Sequence, residues 1–118
     1  MATSTQKATY PYSGNLKTFY DEANSTPANN ETDVVKFTVP VGQTFICQGG
    51  SASGMTDAAF RFYIDNELKE LKQNSWTKRN VEFSSLEKIV EGKELKITVE
   101  HKSNIPHDFS ASIFGILF

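Results

Sequence analysis

Ala58-Ala-Phe-Arg-Phe-Tyr-Ile64 alternates without a fault, with Phe60, Phe62 and Ile64 on one side and Ala59, Arg61 and Tyr63 on the other. A two-residue period loaded with large apolar groups on one side reads as a strand with one buried and one wetter face, and it excludes a helix over that stretch. Asp65-Asn66 follows at once. Both residue types tolerate positive φ, so a tight hairpin is predicted, returning through Glu67 to Lys72.

The same period recurs along the chain. Val35, Phe37 and Val39 alternate with Val34, Lys36 and Thr38, and Leu95, Ile97 and Val99 alternate with Lys96, Thr98 and Glu100. Shorter signals lie near Leu16, Phe45 and Val81, and a last strand is predicted over Phe109 to Phe118. Residues 21–32, rich in Asn, Ser and Pro, read as a loop. Ser85 to Val90 fits either one helical turn or a short edge strand. "VPVGQTFIC" and "KIVEGKELKI" share an apolar residue, a glycine and a new strand start, which reads as two similar sandwich corners rather than a repeat array. About eight strands result, near Leu16, Val35, Phe45, Phe62, Leu68, Val81, Ile97 and Ile113. The expected fold is all-β, a single-domain antiparallel sandwich over 15–118 of jelly-roll type, with an immunoglobulin-like sandwich as the alternative. Residues 1–14 read as an extended N-terminal arm, stiffened at Pro11 between Tyr10 and Tyr12.

The stretch "GGSASGMT" at residues 49–56 nearly spells a phosphate-binding loop. That chemistry needs a lysine after the second glycine and a helix N-terminus to meet the anion. Met55 stands in the lysine's place, and the segment that follows is the strand already described. Gly49 to Asp57 is therefore expected to be a flexible inter-strand loop.

With 118 residues, 38% of them hydrophobic, the chain suffices for one core and not for two. A net charge of −2 with interleaved signs gives no footprint for nucleic acid or for a membrane surface. No signal-peptide pattern and no run of about 18 apolar residues is present, so synthesis in a cytoplasm is expected. In that setting the Asn-x-Ser/Thr matches at Asn24 and Asn30 carry no weight. One cysteine, Cys47, excludes an internal disulfide, and no metal or cofactor motif is found.

Catalytic candidates are few. Cys47 with His101 is the available nucleophile and base, but nothing in the sequence brings them together, and Cys47 lies on an inward strand position. His107 beside Asp108 reads as a loop pair. Glu82 and Glu100 sit at outward strand positions with lysines nearby, which describes a solvated sheet. No catalytic residue is assigned. Trp76, flanked by Asn74, Lys78 and Arg79, suits either a core cap or a sugar-stacking platform, and Tyr63 with loop 49–57 completes that candidate ligand site.

The last strand is apolar on both sides, with Ile113 on one and Phe114, Ile116 and Phe118 on the other, so cover by another chain is expected, with local cover by loop 21–32 or the arm as the alternative. Tyr10 and Tyr12 of the arm are candidate anchors. At this point "VVKFTVPVGQTFICQGGSASGMTDAAFRFYIDNE", followed by "GKELKITVEH" and a short apolar terminal strand, resembles small bacteriophage virion accessory proteins. These include capsid decoration or cement proteins and small tail-associated jelly-roll proteins. The resemblance covers residues 33–118 and rests on strand and turn arrangement. It implies a non-enzymatic structural role in a virion, with a major capsid or other virion protein as partner and a homo-oligomeric, trimer-favouring state. A carbohydrate- or receptor-binding sandwich module is the other expectation.

Overall fold

The computed structural model describes residues 15–75 and 77–118. The arm, with Tyr10 and Tyr12, and the side chain of Trp76 lie outside the described residues. Nine strands follow one another: β1 (Asn15–Thr26), β2 (Thr32–Thr38), β3 (Phe45–Gly54), β4 (Ala58–Ile64), β5 (Glu67–Gln73), β6 (Asn80–Phe83), β7 (Glu87–Ile89), β8 (Glu94–His101) and β9 (His107–Leu117). Among the described residues they form two antiparallel sheets. The first runs β1-β9-β3-β6, with β7 also on β3, and the second runs β2-β8-β4-β5.

β6 and β7 share one edge of β3, against Gly50–Ser53 and Phe45–Cys47 respectively, and so act as one broken strand. Counted that way the pairing is nested: first with last, second with second-last, third with third-last, and the middle two with each other. A long antiparallel hairpin folded over on itself gives this nesting. It is the predicted jelly roll.

Alternation fills the space between the sheets. Phe45, Phe60, Phe62, Leu95, Ile97, Val99 and Ile113 are fully buried. Each large side chain hidden in this way contributes about 2 kcal/mol of transfer free energy. Phe19 of β1 and Phe37 of β2 stack at 3.8 Å and close the side of the sandwich where these strands adjoin. The Asp65-Asn66 hairpin is as expected, with φ of 52° and 66° and Ile64 paired to Glu67.

The two echoing corners prove to be neighbours. Gln43 N–H donates to the Pro40 carbonyl and Lys93 N–H to the Val90 carbonyl, and Gly42 and Gly92 hold φ near 82° and 83° at the third position of each turn. Only glycine takes that angle without strain. Val39 and Gly92 then join the corners, since Val39 N–H donates to the Lys93 carbonyl and Gly92 N–H to the Val39 carbonyl.

Three expectations are corrected. The predicted loop at 21–32 is strand as far as Thr26, because the backbone ladder to β9 continues through Ala23 and, past a bulge, to Thr26 opposite His107. An edge strand needs few buried side chains, so its composition stays polar. The predicted flexible loop at 49–57 is strand as far as Gly54, paired to β9 on one side and β6 on the other. Its small residues serve close approach: a Cβ on Gly50 would stand 2.8 Å from the Ser112 carbonyl oxygen. Val34, assigned to the outward face, is 4% exposed because a bulge between Asp33 and Val35 turns both valines inward. The ambiguous 85–90 stretch contains the short strand β7.

Candidate interaction face

Register builds the outer face of the first sheet row by row. Inward positions of β9 carry Phe109, Ala111 and Ile113, all buried, so Ser110, Ser112, Phe114 and Ile116 point out. Tyr20, Ser112, Ser51 and Glu82 form one row across four strands, and Glu22, Ser110, Ser53 and Asn80 form the next. Further along come Thr18, Phe114 and Gly49, then Leu16, Ile116, Ile46 and Lys88. The face is therefore hydroxylic at one end and apolar at the other. From Ser110 to Ile116 on β9 and from Ile46 to Ser53 on β3 the outward positions carry no charge, and Asp108, at the start of β9, accepts from Ser25 N–H.

At the apolar end, Leu16 is 67% exposed and Phe114 and Phe118 are each 36% exposed. Phe114 lies down over Gly49, with ring atoms 3.2 and 3.3 Å from where a Cβ would stand. The ring thus covers backbone that glycine leaves bare. Ile116 is buried yet stands outside the core cluster, as an outer-face residue between Leu16 and Ile46 must. Ile113, predicted with these residues as a contact, lies instead in the core at 0% exposure.

The opposite outer face, on the second sheet, is charged. Arg61 Nη1 lies 3.0 Å from Glu100 Oε1 and 3.9 Å from Glu31 Oε1. Tyr63, one of the predicted ligand residues, donates its hydroxyl to Glu31 Oε2 at 2.6 Å, and Thr98 donates to the same oxygen at 2.6 Å. Partial burial pushes the Glu31 pKa up, but the two hydroxyls and Arg61 outweigh it and hold the carboxyl below its ordinary 4.5. A depressed carboxyl stabilises the fold above the unfolded-state value and loses that contribution as pH falls through the folded one. Tyr63→Phe is therefore expected to lower the urea midpoint at pH 7 and to lower it progressively less as the pH falls towards 3. An equal loss at both pH values would disprove the coupling. Tyr63 is engaged here, five residues along β4 from Ala58, about 17 Å from the end where residues 54–57 lie. The predicted grouping of Tyr63 with loop 49–57 does not form.

Cys47 and His101 are also kept apart. Cys47 pairs with Gly115 at one end of the sandwich, while His101 pairs with Ala58 at the other. Burial pushes the Cys47 thiol up to about 11, so it stays protonated at neutral pH. His101 is 1% exposed, with Nε2 2.8 Å from the Thr26 carbonyl oxygen and Nδ1 accepting from Ser103 N–H. A carbonyl can only accept, so Nε2 carries the proton and the ring is a neutral structural strut. His107 opens β9 with Nε2 2.9 Å from Ser103 Oγ. Glu82 and Glu100 sit on the outer faces of opposite sheets, too far apart to flank one glycosidic bond.

Sequence reasoning placed Asn74 only as a polar flank of Trp76, whereas it is 6% exposed and buried among backbone groups. Its Oδ1 accepts from Ala58 N–H at 2.7 Å, and its Nδ2 donates towards the carbonyls of Gly54, Thr56 and Arg79 at 3.3, 3.0 and 3.3 Å. The asparagine between Gln73 and Ser75 gave no local signal of this strut role.

No family model and no curated protein matches the sequence. In three dimensions the chain is similar to one in the acidic stable capsid structure of Helicobacter pylori bacteriophage KHP30, with a TM-score of 0.59 and 8% identity. The match covers 88% of this chain and 90% of that one. At this identity the likeness is one of fold, and it runs whole domain to whole domain.

Proposed function

We propose that this chain is a non-enzymatic structural protein of a bacteriophage particle, added to the particle surface to stabilise it. The observation that carries the reading is the apolar end of the outer face, where Leu16, Ile46, Phe114, Ile116 and Phe118 gather without a charge on the central strands. A solvent-facing sheet of a lone domain gains nothing from such a cluster, whereas a contact surface does. Two further points support it: the whole-domain likeness to a chain of a phage capsid structure, and the separation of every candidate nucleophile, base and carboxylate pair described above. On this reading the partner is a major capsid or other virion protein. Tyr10 and Tyr12 of the arm add contacts, and copies of the chain associate with one another.

The test is a count of copies by quantitative mass spectrometry on density-purified particles, alongside the attachment of a chain lacking residues 1–14. A fixed ratio to the major shell protein is expected, with attachment lost on truncation and the fold retained. A low copy number would move the protein to the tail, and absence from particles would overturn the reading. Full attachment by the truncated chain would remove the arm's part in it.

A further inference from the structure

We propose that the other end of the same face is a binding trough for a neutral glycan. A cavity of about 280 Å³ opens there between β1 and β6. Its floor is two hydroxyl pairs, Ser51 with Ser112 at 2.9 Å and Ser53 with Ser110 at 3.0 Å. Each pair uses one hydrogen internally and Ser110 is also hydrogen-bonded to Tyr20, so the Ser51–Ser112 pair keeps a second hydrogen and both pairs keep lone pairs for a ligand. Serine is also short, so long side chains on the flanking strands stand above the floor as walls.

Those walls supply the rest of the chemistry. Tyr20 on β1 is 60% exposed, and its hydroxyl donates to Glu22 Oε2 at 2.6 Å, which holds the ring up beside the serines. An aromatic face held at the rim of a hydroxylic cleft is a stacking surface for the C–H side of a sugar ring. Opposite it on β6, Asn80 offers a donor and an acceptor and Glu82 offers acceptors, each in register with a floor serine. The charged groups of the two rows, Glu22 and Glu82, are both acidic. A phosphate, sialic acid or uronic acid would meet two carboxylates and no cation, while a neutral polyol meets only groups that pair with hydroxyls. At the far end the floor stops at Phe114, where the apolar contact surface begins. The trough and the apolar surface thus use different rows of side chains.

The test is a nitrogen-15 NMR titration of the full chain with lactose, maltotriose, chitotriose and 3′-sialyllactose, each to about 10 mM, a range that detects dissociation constants near 1 mM. At least one neutral sugar is expected to shift the amides of Ser51, Ser53, Ser110 and Ser112. Tyr20→Ala and Ser112→Val, the second filling the floor with a good strand former, should each weaken binding about tenfold or more. Lys36→Ala, on the charged opposite face, should change nothing. Shifts confined to another part of the surface, none with any of the sugars, or full affinity in Tyr20→Ala would overturn the site. An equal response to 3′-sialyllactose would overturn the neutral class. None of these outcomes bears on the copy number in particles, so the two readings fail separately.

Discussion

Gly115→Val is expected to lower the melting temperature by about 15 °C or more, the equivalent of roughly 3 kcal/mol in a domain of this size. β9 is a central strand, with β1 on one side and β3 on the other. A Cβ at position 115 would collide with the Ile46 carbonyl oxygen of β3 and stand 2.8 Å from a ring carbon of Phe45. Neither can withdraw. The Ile46 backbone belongs to the β3–β9 ladder, and the Phe45 ring is fully buried, edge-on to Phe37 at 5.3 Å and to Phe19 at 5.9 Å. Total stability of a small domain is about 5–15 kcal/mol, so the loss would take much of the margin. Ser112→Val makes a larger residue on the outward side of the same strand and should keep its melting temperature within about 2 °C. Thermal melts of both variants decide the matter, and equal behaviour would show that crowding at Gly115 is relieved in solution.

That glycine illustrates what the sequence made legible and what it hid. Alternation carried the strands that face one buried side: β4, β8 and the return through Asp65-Asn66 could be read with their inward sets, because period and turn chemistry are local properties. β3 beyond Cys47 could not be read so. Gly49, Gly50, Ser51, Ala52 and Ser53 look like a loop to any local rule, yet all pair with β9 and all but Gly49 also pair with β6, because small residues are what two close neighbouring strands, Phe114 and Ile97 leave room for. The polar half of β1 was hidden for a related reason, since ladder hydrogen bonds are made by the backbone and leave no trace in side-chain type. The double-sided apolar pattern of the last strand is legible in the sequence, and the structure turns Ile113 inward and Phe114 and Ile116 outward. Which residues of that strand reach the outside depended on register, and register removed Ile113 from the set. The hydroxyl floor had no local signal, because Ser51 and Ser53 meet Ser112 and Ser110 only through pairing across about 60 positions of chain.

The asymmetry of the two outer faces follows from the same topology. β9 and β3 are central in one sheet, and their outward residues there are small or apolar, from Ser51, Ser53, Ser110 and Ser112 at one end to Ile46, Phe114 and Ile116 at the other. β8 and β4 are equally central in the other sheet, and there Lys96, Thr98, Glu100, Arg61 and Tyr63 build a hydrated network around Glu31. Charge is thus gathered on one face, and under the proposed function the other is left for contact. This division is why the particle-attachment reading and the trough both fall on the first sheet.

Asn74→Ala should cost about 2–4 kcal/mol, close to the Gly115 effect, though nothing about its place in the sequence suggests it. The side chain satisfies Ala58 N–H, the first amide of β4, and ties three carbonyls from separate stretches: the end of β3, the link to β4 and the residue before β6. Removing it leaves a buried donor without its side-chain acceptor and frees the turns on either side. Asn74→Asp separates this from a loss of packing. The carboxylate keeps the shape and the acceptor for Ala58 N–H, but it turns an acceptor towards the three carbonyls, so it should be at least as destabilising as alanine at pH 7 and less so as the pH falls and the acid gains a proton. Urea denaturation of the two variants at pH 7 and pH 4 reads both effects. An aspartate variant as stable as the parent at pH 7 would show that the amide hydrogens do not hold these turns, and that Asn74 serves only to satisfy the start of β4.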